Sequence, residues 1–335
     1  MNRKVTNLNI LKSLKIADKC LFIIAKYSEP LMTYLYSRTS MSNYVPTHYR
    51  THTLGEIQAN GADLIDNEVT VAGFMEANRG KGAICFVDLR DGTGKTQIFL
   101  KADNVGEESL DMVQRMTRES TLQFTGKVSE KRPPKLKEGE TPPPPAYEVI
   151  AESVIVIAKA EAPLPLGVTD TVHVELDTRL DNRFLDLRRA HIAAMFRLRG
   201  KILQYGREAL INEGFFETHT PKIVATATEG GTDLFPMQYF DTPAFLNQSP
   251  QLFKQLCMSG GLERVFEIGP AFRAEKHDTY RHLNEFISFD IECSWATDDD
   301  VMGVLERMIH HMWQSVADDE ESKSYIATIN EYRAS

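Results

Sequence analysis

Val69-Thr70-Val71-Ala72-Gly73-Phe74, Ala83-Ile84-Cys85-Phe86-Val87-Asp88-Leu89-Arg90 and Thr96-Gln97-Ile98-Phe99-Leu100 are three short runs in close succession. They are rich in β-branched and aromatic residues, and read as strands. Asp91-Gly92-Thr93-Gly94 separates the last two as a hairpin turn, because glycine tolerates the positive φ of a tight turn. Two further strands are expected, Ser120–Val128 and Tyr147–Ala151, with a helical stretch around Glu108 to Met116 ahead of them. Lys131-Arg132-Pro133-Pro134 through Pro142-Pro143-Pro144-Pro145 divides those two strands. Consecutive prolines cannot continue a ladder, so this is an exposed, stiff loop, with recognition by a proline-binding module as a minor alternative.

Five strands with a helix between the third and fourth match a small Greek-key barrel of the OB type, an oligonucleotide-binding fold. Residues 46–160 are assigned to it. Phe86 and Gln97 lie on neighbouring strands, where an aromatic can stack a base and an amide can read its edge. A lone Phe in a β-run is more often core, at about three to one, since burying an aromatic stabilises strongly. Gly92-Thr93-Gly94-Lys95-Thr96 is not a phosphate loop: the Gly-x-x-x-x-Gly-Lys-Thr pattern requires glycine at 89, which is leucine.

The chain has 335 residues, enough for about two domains, and a formal net charge of −9. That argues against holding nucleic acid by overall charge, so such a partner must meet a local patch. Residues 1–40 carry seven basic and two acidic residues, which leaves 41–335 at −14. Residues 1–45 show no clean period and are expected to be a weakly structured extension: a tag-like leader, an over-long start ahead of Met41, or a transit peptide. The longest apolar run there, Cys20–Ala25, falls far short of a bilayer span of about 18 residues. Four scattered cysteines with no C-x-x-C suggest neither a disulfide framework nor zinc, and a reducing, cytoplasmic setting is expected.

Pro163, Pro165 and Gly167 mark a hinge, assigned to 161–180, and a second domain follows over 181–335. It opens on Asp177-Thr178-Arg179-Leu180-Asp181-Asn182-Arg183. An amphipathic helix from about Ala190 to Glu213 stops at Gly214, and Phe215–Pro221 reads as a strand ending at proline. A helix over Pro250–Met258, β-like runs over Val265–Glu275 and Glu285–Cys293, and a helix over Asp298–Val316 complete the pattern.

Three stretches carry chemistry. In Phe272-Arg273-Ala274-Glu275, residues two apart on a strand share a face and bring a guanidinium beside a carboxylate. The bland reading is an exposed ion pair. In Gln248-Ser249-Pro250-Gln251-Leu252-Phe253-Lys254-Gln255, a capping serine and a first-turn proline start a helix that presents Gln251 and Lys254 to an anion. The alternative is a solvated helix start. Thr228-Glu229-Gly230-Gly231-Thr232 is a glycine-rich loop whose carboxylate suits an α-ammonium.

In order, these pieces resemble a class II aminoacyl-tRNA synthetase, most closely the aspartate-specific type of archaea and eukaryotes, from about Thr53 to Val304. The resemblance rests on Asp177–Arg188, the helix and strand ending in Thr220-Pro221, Ala227–Gly231, Gln248–Gln255, and Phe272–Glu275 with Arg281-His282-Leu283-Asn284-Glu285. It implies an α+β chain: a five-stranded OB barrel that binds the anticodon, then a catalytic domain of antiparallel sheet flanked by helices, incomplete at its C-terminus. It also implies an aspartate–tRNA ligase using ATP and Mg2+, charging tRNA-Asp and conceivably tRNA-Asn, and a homodimer formed through the first-motif helix and strand.

By the same resemblance, Glu229, Ser249, Gln251, Leu252, Phe253, Lys254 and Arg273 bind aspartate. Arg273, the catalytic residue, joins Ala274, Glu275, Arg281, His282 and Leu283 in holding ATP, and Phe86, Gln97 and Glu148 contact the anticodon. Lys254 favours aspartate over asparagine, because the asparagine-specific relatives carry an acidic residue there. The family's third motif, with its arginine and Mg2+ ligands, is not found before Ser335, so no metal ligands are assigned and the 335 residues alone are expected to be inactive. The competing readings are a non-catalytic tRNA-binding fragment or paralogue, and an asparagine-forming paralogue, against which the barrel counts.

Overall fold

A computed structural model of the chain describes residues 46–133, 143–169, 172–230, 233–277, 279 and 282–334. The chain divides into two compact units, Met1–Leu164 and Pro165–Ser335.

In the first unit, helix α1 (Leu54–Ala59) is started by a reciprocal cap in which the Thr53 hydroxyl accepts from Glu56 N and the Glu56 carboxylate accepts from Thr53 N. A single turn, α2 (Gly61–Leu64), leads into strand β1 (Glu68–Lys81). Strands β2 (Ile84–Arg90), β3 (Lys95–Lys101), β4 (Thr121–Glu130) and β5 (Tyr147–Ala158) follow. Together they form a closed barrel in the order β1-β2-β3-β5-β4. Strand alternation puts Val71, Cys85, Val87, Leu89, Ile98, Leu100, Leu122, Phe124 and Val149 inside, where Leu54 and Ile57 of α1 join them. At Gly126 a Cβ would stand 2.0 Å from the Ile150 carbonyl, beside the register shift by which β4 bends against β5.

The turn between β2 and β3 is organised by Asp91, whose Oδ1 accepts from Thr93 N at 2.7 Å and Gly94 N at 3.1 Å. The helical segment between the third and fourth strands is present as two pieces, α3 (Ala102–Val105) and α4 (Glu107–Gln114), divided at Gly106 with φ 86°. The proline-rich loop over residues 134–142 and the extension over 1–45 lie outside the described residues.

In the second unit, α5 (Leu176–Asp181) and α6 (Arg183–Asp186) precede the 23-residue α7 (Ala190–Asn212). Helix α5 thus starts within the segment read as a hinge. Asp186 is fully buried and accepts from Arg179 Nε at 2.9 Å and Arg183 Nη1 at 2.7 Å. Burial raises its pKa, but the two guanidinium bonds outweigh that and hold its carboxyl below the usual carboxylate range. Its contribution to stability is therefore fully present above the unfolded-chain value of about 4, and is lost as pH falls through the lower folded value. Asp186→Asn is expected to cost about 3 kcal/mol in urea unfolding and to flatten the acid limb of the stability profile. An unchanged midpoint would refute the clamp.

Beyond Gly214 (φ 81°), β6 (Phe216–Glu217) pairs in parallel with β10 (Arg264–Phe272), which pairs antiparallel with β11 (Glu285–Cys293). The strand expected over 215–221 is thus only two residues long, because its partner contact is limited to Val265 and Phe266. A separate small sheet has the order β7-β9-β8, from β7 (Ile223–Val224), β8 (Pro236–Tyr239) and β9 (Thr242–Leu246). Helices α8 (Gln251–Ser259), α9 (Asp298–Asp318) and α10 (Glu320–Ala334) complete the unit.

The sheet's two faces are sharply different. Phe266, Ile268, Phe289, Ile291 and Cys293 pack with Leu210 of α7 and Val304 and Met308 of α9. At Gly206 of α7 a Cβ would come within 2.7 Å of the Phe289 ring, so glycine lets helix and sheet meet. The register pairs Glu267 with Asp290 and Val265 with Glu292, which sets these carboxylates on the opposite face.

Candidate functional site

Of the residues singled out in the second unit, Lys254 meets that polar face at Asp290 and Arg273 meets it at Phe286. Arg273 follows the last residue of β10, and its N–H continues the ladder to the Asn284 carbonyl at 3.0 Å. The extended pairing of Arg273 with Glu275 expected from the sequence does not form. The chain turns there, with Glu275 N donating to the Arg273 carbonyl at 2.8 Å, so the two side chains are not strand neighbours. The carboxylate beside Arg273 is instead Glu229, 44 residues earlier, whose oxygens lie 3.4 and 3.5 Å from Nη2. The guanidinium carbon sits 5.4 Å from the Phe286 ring centre, and Nε is buried with no hydrogen-bond partner among the described residues.

This pair is long and about one-third exposed on each side, so its attraction is about 1 kcal/mol or less. An incoming carboxylate or phosphate on Arg273, and an ammonium on Glu229, can replace it at little cost. The buried Nε supplies a further donor for the anion.

Lys254 is turned inward from α8 and is only 8% exposed. Its Nζ donates to Asp290 Oδ1 at 3.3 Å and to the Ile291 carbonyl at 3.2 Å, with Glu292 Oε2 3.5 Å away. These contacts fix the ammonium in position. Ser249 is buried, and its hydroxyl accepts from Gln251 N at 3.3 Å, so the helix starts at Gln251, one residue later than expected. Gln251 and Phe253 are half-buried, whereas Leu252 is exposed.

Ala274 N donates to the Asp233 carbonyl at 3.1 Å, and Glu275 is half-buried. In the loop, His282 N donates to the Thr279 carbonyl, and His282 Nδ1 lies 2.6 Å from Thr279 Oγ1. Leu283 is exposed, and Arg281 lies outside the described residues.

Sequence reasoning missed Glu267, a 97%-buried carboxylate on the same face that is 3% exposed. It accepts from Thr220 Oγ1 at 2.7 Å, Lys222 Nζ at 2.6 Å and Thr220 N at 3.2 Å. Among the described residues, no group of three or more His, Cys, Asp or Glu is placed to hold a metal ion.

The barrel carries a second cluster. Phe86 is half-buried on the outer face, because Cys85 and Val87 take the inner positions. Its ring centre lies 5.0 Å from that of Phe99, which the sequence reading passed over although it alternates with the buried Ile98 and Leu100. Gln97 pairs with Glu148 in the parallel register of β3 and β5, and its Nε2 donates to Glu148 Oε2 at 2.9 Å. Burial pushes the Glu148 carboxyl pKa up, against the pull of Gln97 and Lys131. Arg79 forms a bidentate pair with Asp88 on this face, at 2.8 and 3.0 Å.

Comparison with known proteins bears on both units. Residues 175–333 match the family of tRNA synthetases class II (D, K and N), and residues 69–157 match the OB-fold nucleic acid binding domain. An aspartate–tRNA(Asp/Asn) ligase of Methanococcoides burtonii is 49% identical over 271 residues, 81% of this chain and 59% of that protein. An asparaginyl-tRNA synthetase of Pyrococcus horikoshii, solved with asparaginyl-adenylate, superposes with a TM-score of 0.71 at 31% identity, over 82% of this chain and 60% of that one. An aspartyl-tRNA synthetase of Entamoeba histolytica superposes at 0.69 with 28% identity, over 88% and 61%. The chain spans about three-fifths of the length of the curated relatives it matches. With a closed OB barrel followed by this sheet and its polar face, the chain joins an OB-fold nucleic acid binding domain to a domain of the class II tRNA synthetases (D, K and N).

Proposed function

We propose that the chain acts as an aspartate–tRNA ligase. L-Aspartate and ATP give aspartyl-adenylate and pyrophosphate; the 3′-terminal hydroxyl of tRNA-Asp, with tRNA-Asn as a second acceptor, then takes the aspartyl group as an ester and AMP leaves. The observation that carries the choice of aspartate is Lys254: a buried ammonium on the same polar face as Arg273 and Glu229. It answers a side-chain carboxylate, whereas a neutral amide gains little from it. The ligase names of the relatives support the same reading.

In this reading Glu229 takes the α-ammonium, and Ser249, Gln251, Leu252 and Phe253 line the pocket. Arg273 bridges the α-carboxylate and the α-phosphate. The carboxylate oxygen attacks α-phosphorus and pyrophosphate leaves. Alignment and charge neutralisation, rather than a protein nucleophile, carry the step. Ala274, Glu275, Arg281, His282 and Leu283 hold ATP; a bound Mg2+ would neutralise charge on its phosphates, and none of the described residues is assigned to hold it. The protein works in the cytoplasm as a homodimer joined through α7 and the β6 segment. No helix of the described residues is long and apolar enough to cross a membrane.

The activation half is tested by thermal unfolding of the chain with aspartyl-, asparaginyl- and lysyl-sulfamoyl adenosine. The aspartyl compound is expected to raise Tm most, since stabilisation follows affinity. A larger shift with another compound overturns the assignment.

On the barrel, Phe86, Gln97 and Glu148 form the anticodon contact. Phe86→Ala is expected to weaken an aspartate anticodon stem-loop by about tenfold in a filter-binding titration, the loss of one stacked base. Binding equal to that of the parent chain would remove the stacking role.

A further inference from the structure

Asn247, directly after β9, is fully buried and lies where three segments meet. Its N–H donates to the Lys222 carbonyl at 3.0 Å, and its carbonyl accepts from Phe272 N at 3.0 Å, one residue before Arg273. Its side-chain Nδ2 donates to the Pro221 carbonyl at 2.9 Å. That bond fixes the amide orientation and points Oδ1 at the buried Thr228, whose Oγ1 lies 3.5 Å away. The Thr228 hydroxyl in turn accepts from Ser249 N at 3.5 Å. The segment that Asn247 grips is itself anchored, because Glu267 on β10 binds both Thr220 and Lys222.

We propose that Asn247 is a positioning residue that sets Glu229 against Arg273 through its neighbours. Its side chain holds Thr228, and thereby the backbone that carries Glu229, while its carbonyl holds the end of β10 that carries Arg273. This deepens the aspartate reading and rests on it for the identity of the ligand. The device itself is a property of the unliganded chain. A buried amide whose donor and acceptor are both used fixes a loop that glycine would otherwise leave loose, and truncating it leaves the Pro221 carbonyl and Thr228 hydroxyl short of partners.

The test has two arms. In hydrogen exchange of the unliganded chain, Asn247→Ala and Thr228→Val are expected to speed exchange of residues 226–230 by about tenfold while leaving the barrel strands unchanged, and Thr228→Ser is expected to restore the parent rates. In calorimetry, both damaging variants are expected to weaken aspartyl-sulfamoyl adenosine by about tenfold but its succinyl counterpart, which lacks the α-ammonium, by about twofold or less. Unchanged exchange at 226–230 overturns the proposal, as does equal weakening of the two compounds accompanied by a matching fall in Tm. If the parent chain binds neither compound, the aspartate reading fails while the exchange arm still decides the role of Asn247.

Discussion

Arg273→Ala is expected to weaken aspartyl-sulfamoyl adenosine by about 100-fold, measured by calorimetry on the 335-residue chain. The loss has two parts. The anion at the aspartyl-phosphate junction loses the guanidinium, including the Nε that is buried with no partner among the described residues. Glu229 also loses the cation 3.4 Å away that now balances it. Arg273→Lys is expected to recover only a small part, because an ammonium lacks the planar fork and cannot stack over Phe286 as the guanidinium does at 5.4 Å. Full recovery by lysine would show that charge alone suffices and would remove the bridging role.

Lys254→Met should have an effect of similar size but of a different kind. Methionine keeps the volume and removes the charge, leaving Asp290 and Glu292 without the ammonium that sits 3.3 and 3.5 Å from them. Two carboxylates then face the substrate's own, so the aspartyl compound is expected to lose about 100-fold while the asparaginyl compound loses tenfold or less. Lys254→Glu carries this further and is expected to abolish binding of the aspartyl compound. Equal losses for the two compounds would mean that Lys254 supports the fold without selecting the substrate.

The elements that alternation and caps decide were legible in the residues. The barrel strands show it, and so does Glu285–Cys293, whose bounds agree with β11. What long-range pairing decides was not. β6 is short because only two residues meet β10. Glu267 sits in a run that reads as an ordinary strand, and its burial depends on Thr220 and Lys222, 47 and 45 residues away. α10 was passed over because its apolar residues are sparse. Asp319 caps its start, its carboxylate accepting from Ser322 N at 2.9 Å. The candidate site was legible as residue types and as a resemblance, but the partner of Arg273 was not: the chain turns after Arg273, and a distant loop supplies the carboxylate.

On the proposed function, this polar face selects aspartate by charge. The direct measurement is a calorimetric competition between aspartyl- and asparaginyl-sulfamoyl adenosine on the parent chain. The aspartyl compound is expected to bind at least about tenfold more tightly, and Lys254→Met to erase most of the difference. Equal or tighter binding of the asparaginyl compound by the parent chain would contradict it.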